Sequence, residues 1–175
     1  MAFEDERVSN WSGPTKADAP LGQLPYLTVD GVKIPQSLAF ARLVAKRFNL
    51  AGSGDLEQAK TDAVVDTVSD LQNAYYSVIF GKEDRKSGIE KFLAEDAISH
   101  LEKIEKIITL FSSEGYSVGS SLTWSDLYLF EITSTLLGLN SNLLDKYPRI
   151  QAVGKTVESH EKIAAYLKSR PQTEF

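Results

Sequence analysis

The sequence predicts two domains, a small α/β region followed by an all-α region, and three observations carry that reading. Residues 26–34 hold two short β-rich runs on either side of Asp30-Gly31, the dipeptide of a two-residue hairpin turn. From Asp55 onward the apolar residues recur at helical spacing, and they continue to do so almost to the end of the chain. Between the two patterns, Asn49-Leu50-Ala51-Gly52-Ser53-Gly54 follows neither period. The domains are therefore expected at 1–48 and 55–175, with 49–54 as a linker.

Composition narrows the function classes. With 175 residues, 42% hydrophobic and 25% charged, the chain has the make-up of an ordinary globular protein with a sizeable core. A net charge of -5 and no Lys/Arg cluster argue against nucleic acid as a partner. The absence of cysteine removes disulfides, thiolate metal sites and cysteine nucleophiles, and fits a cytoplasmic setting. MAFEDERVS is too acidic for a signal peptide, and no apolar run approaches a membrane span.

Taken in order, residues 2–8 carry four consecutive charges (Glu4 to Arg7) and read as a loop. Residues 10–19 contain Gly13 and Pro14 and are expected to be irregular, with at most one helical turn. Leu24-Pro25 opens the first strand, where a proline must lie at a strand start or edge because it has no ladder donor, and the bond can be cis. Gln36-Ser37 begins the apolar-periodic run Leu38, Ala41, Ala45, Phe48, so it falls at a helix N-terminus, where free amide N–H groups favour an anion. Simple N-capping explains the pair equally from the residues alone.

In the second domain, Leu56, Ala59, Ala63, Val64, Val68, Leu71, Tyr75 and Val78 mark one long helix ending near Gly81. Leu93, Ala97, Leu101, Ile104, Ile108 and Phe111 mark a second, ending at Glu114-Gly115 and packing antiparallel to the first. Thr123-x-x-Asp126 reads as a capping box, flanked by a Leu122/Leu127 hydrophobic staple. The helix behind it is apolar on most sides and belongs at the centre of the domain. Two more helices follow, at 147–159 and 160–169, with Pro148 suited to a first turn.

The run PLGQLPYLTVDGVKIPQSLAFARLVAKRF, with its proline turn, strand, Asp-Gly turn, second strand, Gln-Ser and helix, resembles the signature of the glutathione S-transferases. Its details are most similar to the sigma-type branch, which includes nematode, insect and hematopoietic prostaglandin D synthase members, and the likeness runs to Arg170-Pro171-Gln172-Thr173. The resemblance implies a thioredoxin-like N-terminal domain, truncated here, and the all-helical C-terminal domain of that family. It implies conjugation of the glutathione thiol to electrophiles, or isomerisation of a prostaglandin-type substrate, by a cytoplasmic homodimer that takes glutathione as co-substrate, needs no metal and detoxifies small hydrophobic electrophiles. The family's matching capping box opens its central helix, so local physics and resemblance agree on Thr123 and Asp126.

The resemblance also implies roles for individual residues. Gln36 and Ser37 match the pair holding the γ-glutamyl carboxylate, and Gln23 and the Leu24 backbone match positions contacting the glycyl and cysteinyl portions, the latter with Pro25 cis. Trp11 and Lys16 resemble the donor and point charge that clasp the glycine carboxylate. Asp70 matches an aspartate that reaches the neighbouring subunit's glutathione amine. Gln72, Tyr128 and Phe175 fall where the family lines its electrophile pocket. Without the resemblance these would read as an exposed lysine, a packed tryptophan, a solvated carboxylate and a core tyrosine. Asp66 and Asp70 stand where some relatives hold a divalent cation, but Ser69 takes the third position and no strong site is expected. His100 and His160 sit on polar segments and are expected to be neither catalytic nor metal-binding.

In this family a tyrosine at the end of the first strand stabilises the glutathione thiolate, and a thiol of pKa ~8.5 is mostly protonated without such help. By the resemblance, residues 3–8 align with the second strand, and no tyrosine of this sequence, Tyr26, Tyr75 and Tyr76 included, replaces the activating one. No catalytic residue is therefore assigned within the 175 residues, and weak or absent turnover is expected of them as written. A sheet without that central strand is expected to be unstable. A non-catalytic, crystallin-like binding or structural protein is the alternative.

Overall fold

In the computed structural model, residues 3–81, 84–112 and 115–171 are described, and the chain divides into two compact units, Met1–Arg47 and Phe48–Phe175. In the first unit, helix α1 (Gly13–Asp18) and a 3₁₀ turn (Pro20–Gly22) precede strands β1 (Tyr26–Val29) and β2 (Val32–Pro35) and helix α2 (Ser37–Arg47). The strands pair antiparallel with Tyr26 opposite Pro35 and Val29 opposite Val32, which leaves Asp30 and Gly31 as the whole turn. Both turn residues have positive φ, 51° and 77°, the geometry that matches a hairpin's right-handed twist and that Asp-Gly accepts at low cost.

Two expectations for this unit are corrected. Residues 3–8 form no strand, against the second-strand alignment that the resemblance implies and in keeping with the loop that their consecutive charges predict, since they have no ladder to join. Residues 13–18 form a six-residue helix rather than a single turn. A distant lysine explains the extra length: Lys33 Nζ on β2 donates to the Asp18 carbonyl at 3.0 Å and to Asp18 Oδ2 at 2.5 Å. That interaction satisfies a C-terminal carbonyl of α1 and places a cation at the negative end of its dipole. The Asp18 carboxylate holds the Lys33 ammonium above its usual range, and the same ammonium lies 5.4 Å from the Tyr26 ring centre.

The second unit is all helical: α3 (Gly54–Ile79), α4 (Arg85–Ala94), α5 (Asp96–Phe111), α6 (Trp124–Leu139), α7 (Pro148–Ser159) and α8 (Glu161–Ser169). Lys60, early on α3, lies over the Phe111 ring at the end of α5, and Tyr75, late on α3, meets Phe92 on α4, so the α4–α5 segment runs antiparallel to α3. The single helix expected over this segment is broken at Glu95, whose φ and ψ of -124° and -70° leave the helical region. The break lets Phe92 and Ala97, on either side of it, both enter the core. Val64, Val68, Leu71, Leu101, Ile104, Ile108, Leu129, Leu136, Ile150 and Val153 complete that core, each large side chain contributing about 1.5–3 kcal/mol by leaving water.

Helix α6 is central and opens with the expected capping box. Asp126 is fully buried; its Oδ2 accepts the Thr123 N–H at 2.6 Å and its Oδ1 accepts the Ser117 N–H at 2.6 Å. Burial pushes its carboxyl up, against the pull of these hydrogen bonds. At the start of α7, Glu105 of α5 accepts the backbone N–H groups of Arg149 and Ile150 at 2.9 and 3.0 Å, a cap supplied by another helix. No helix among the described residues is long and apolar enough to cross a membrane.

Candidate functional site

The polar residues singled out in the first unit lie on three adjoining pieces of backbone. The 3₁₀ turn passes through left-handed conformations at Leu21 and Gly22, φ 57° and 60°, and is closed by Gly22 N–H to Ala19 O at 3.0 Å. It delivers Gln23 and Leu24 to the start of β1, and the Leu24–Pro25 bond is cis. Lys16 on α1 runs beside this turn, its aliphatic stem 3.9 Å from where a Cβ on Gly22 would lie. The Lys33–Asp18 interaction fixes α1 against β2, and so sets where Lys16 begins.

Gln36 has φ 71°, uncommon for a residue with a Cβ and costing of order 1 kcal/mol. Its carbonyl accepts the N–H groups of Ala39 and Phe40 at 2.9 and 3.3 Å, so it is the N-cap of α2. The first N–H groups of α2 and the Ser37 hydroxyl are thus presented together at the positive end of an eleven-residue helix. Lys16, Gln23, Leu24, Pro25, Gln36 and Ser37 are all exposed, and Trp11 is half-buried. Extended backbone, amide donors at a helix start and one flexible cation form a set that suits a short peptide with carboxylates at both ends.

In the second unit, Asp70 is exposed on α3 one residue beyond Ser69, with Asp66 a turn earlier. Among the described residues no three His, Asp or Glu side chains come together as a metal site. Gln72 on α3 and Tyr128 on α6, far apart in sequence, are brought together: the Tyr128 hydroxyl donates to Gln72 Oε1. Gln72 Nε2 in turn donates to the Tyr76 hydroxyl at 3.0 Å. Burial holds the Tyr128 phenol above its ordinary range, offset in part by a hydrogen bond with Ser69 and reinforced by Tyr76 and Asp66 nearby. Phe175 lies outside the described residues.

Sequence reasoning missed Lys33, Asp18 and Tyr76. Lys33 carries only the signal of a strand lysine, and its partner is fifteen residues earlier. Tyr76 stands one turn after Gln72, a spacing that marks a helical neighbour but not which partner holds it.

Residues 69–170 match the family model described as "Glutathione S-transferase, C-terminal domain". The chain is 36% identical to hematopoietic prostaglandin D synthase of Gallus gallus over 176 aligned positions, which cover 99% of this chain and 86% of that protein. It is 33% identical to probable glutathione S-transferase 8 of Caenorhabditis elegans, covering 100% of this chain and 87% of the relative. Among solved structures, the monomeric Na-GST-3 of the hookworm Necator americanus superposes with a TM-score of 0.87 at 35% identity, covering 100% of this chain and 88% of that one. Rat hPGDS complexed with a quinoline gives a TM-score of 0.87 at 31% identity, with 100% and 87% covered. The chain belongs to the glutathione S-transferase family, enzymes that conjugate the co-substrate glutathione to electrophiles, and within it to the sigma-like branch of the prostaglandin D synthases and nematode transferases.

Proposed function

We propose that the first unit binds glutathione and that the second supplies the electrophile subsite. The observation that carries this reading is Gln36 held in a left-handed conformation as N-cap of α2, which presents its amide and Ser37 together at the helix start. There they receive the γ-glutamyl carboxylate as charge-assisted hydrogen bonds. Leu24 pairs with the cysteinyl backbone as an added strand beside Pro25, Gln23 takes the glycyl portion, and Trp11 and Lys16 hold the terminal carboxylate. Asp70 serves the amine of a neighbouring subunit's glutathione, and Gln72, Tyr128 and Phe175 meet the electrophile.

In the reaction the glutathione thiol loses its proton, the sulfur lone pair forms the new carbon–sulfur bond, and a leaving group departs or an adjacent oxygen takes up the proton. By the resemblance, none of the seven tyrosines matches the one that stabilises the glutathione thiolate, and Tyr26, the tyrosine of the first unit, has the Lys33 ammonium 5.4 Å from its ring centre. Turnover by these 175 residues is therefore weak, and glutathione binding without catalysis, as in a crystallin-like protein, is the second reading. The names of the chicken and rat relatives also favour a prostaglandin-type isomerisation as the electrophile reaction. The protein acts in the cytoplasm as a homodimer; the hookworm relative is described as monomeric, so sedimentation decides between the two states.

The test is calorimetric titration of glutathione into the 175-residue chain, followed by an assay with a chloronitrobenzene. Saturable binding lost in Ser37→Ala supports the cradle. Binding with measurable turnover removes the non-catalytic reading. Absence of binding overturns the assignment of Gln36 and Ser37.

A further inference from the structure

The hairpin of the first unit has two unlike edges. A two-residue turn closes on a hydrogen-bonded pair, so Val29 and Val32 exchange main-chain bonds, and antiparallel alternation makes Leu27 and Ile34 the next such pair. Thr28–Lys33 and Tyr26–Pro35 are then the pairs whose N–H and C=O groups point away from the other strand. On β2 that outer row is blunted: Pro35 has no N–H to offer, and Lys33 carries a charge and is tied to Asp18. On β1 nothing blunts it. Its sequence is YLTV, with no charge, proline or glycine, and no hydrogen bond from the described residues reaches the outward groups of Tyr26 or Thr28. Helix α2 packs on both strands and the 3₁₀ turn on β2, which leaves the β1 row as an unpaired edge of the first unit.

The spacing of that row fits a second copy of itself. Turned about a two-fold axis at Leu27, Tyr26 of one copy stands opposite Thr28 of the other, and Thr28 opposite Tyr26. Each of these pairs exchanges two main-chain bonds, so every outward group is satisfied, and Leu27 meets its counterpart with Cα atoms about 4.5 Å apart. Each pair also sets an aromatic ring against a β-branched side chain, a favourable cross-strand combination. An uncharged strand has nothing with which to select a foreign segment, whereas its own copy matches it at every position. Two strands on so small a core are marginal, and the pairing extends the sheet to four. The blunted β2 edges then lie outermost, so the assembly closes at two copies. Asp30 of the second copy falls opposite Leu24 but already belongs to the turn, which leaves the Leu24 backbone free for glutathione.

We propose that the outer edge of β1 is an association surface for a second copy of this chain, joined as an antiparallel β1–β1 pair centred on Leu27. The contact uses the backbone of the first unit alone and is separate from the neighbouring subunit to which Asp70 is assigned.

Hydrogen exchange and cross-linking on the full chain test this. In the unsubstituted chain the Tyr26 and Thr28 amides should slow as the protein is concentrated, while those of α5 stay constant. Thr28→Pro removes a donor that the hairpin does not use. It should raise the concentration at which the Tyr26 amide slows by about ten- to a hundredfold, the worth of the two bonds lost. Retained protection of the Val29 and Val32 amides shows that its hairpin is formed. Thr28→Val keeps the N–H and should associate as the unsubstituted chain does. Because the chain has no cysteine, an introduced thiol can pair only with its own counterpart. Leu27→Cys should form an interchain disulfide on mild oxidation, since the two-fold register brings that position within bonding reach of itself. Val32→Cys, on β2 and 61% exposed, should not. Tyr26 and Thr28 amides that exchange at one rate at every concentration overturn the proposal. So does an unshifted Thr28→Pro, or a Leu27→Cys that cross-links no faster than Val32→Cys. Each of these outcomes leaves the assignment of Gln36 and Ser37 to glutathione standing, because that is read by titration with glutathione itself.

Discussion

The Tyr128 hydroxyl on α6 donates to the side-chain carbonyl of Gln72 on α3, joining two helices of the second unit by a polar contact that neither helix's apolar period requires. Burial raises the Tyr128 pKa above the ordinary 10.0. The folded protein therefore keeps this proton at pH values where the unfolded chain has lost it. The contribution to stability is complete below about pH 10 and declines as pH rises from there through the folded value. Ultraviolet titration of tyrosinate should show late-ionising phenols, Tyr75 and Tyr147 also being raised by burial, and one fewer of them in Tyr128→Phe. The variant's melting temperature should then fall less steeply above pH 10 than that of the unsubstituted chain.

Gln36 joins local strain to proposed function, and Gln36→Gly separates them. Glycine adopts φ 71° freely, so the variant should gain up to ~1 kcal/mol in stability. It also removes an amide from the γ-glutamyl carboxylate, so glutathione affinity should drop by about tenfold or more. Melting temperature and calorimetric affinity should therefore move in opposite directions.

Lys33 fixes α1 and through it Lys16. Lys33→Met should weaken glutathione binding less than Lys16→Met does. The double variant should lose less than the sum of the two, because once α1 is released the Lys16 ammonium contributes less. Additive losses in the double-mutant cycle would show that α1 holds its place without Lys33.

Gly119 has φ 59°, and a Cβ there would collide with Glu57 Oε1 near the start of α3. The other oxygen of that carboxylate accepts the Ser53 N–H at 2.5 Å just before the helix, so Glu57 cannot move without cost. Gly119→Ala should destabilise the protein by about 1–3 kcal/mol, read as a lowered denaturation midpoint at unchanged m-value.

The two units should differ in hydrogen exchange. Among the described residues of the first, Ala19 and Ala45 are the fully buried apolar side chains, while the large buried cluster is confined to the second. A two-stranded hairpin on so small a core is marginal. Amides of β1 and β2 should exchange well before those of α5 and α6; equal protection would show that the first unit unfolds only with the second.

The sequence by itself determined the hairpin, the cap of α6 and the identity of the family, because each depends on residues close together in the chain. Asp-Gly sets its own turn, Thr123 and Asp126 lie three apart, and Gln36-Ser37 beside Leu24-Pro25 is a local signature. It also located the helical faces, since a period of about 3.6 residues is legible without knowing what the face packs against. Only the tertiary structure decided the break at Glu95, where the core needs Phe92 and Ala97 together. It likewise decided the full length of α1, which depends on a lysine from β2, and the cap of α7, which depends on Glu105 of α5. The chain from Tyr128 through Gln72 to Tyr76 belongs with these, because a hydrogen bond between residues on separate helices has no period and is set by where packing brings the donor and acceptor.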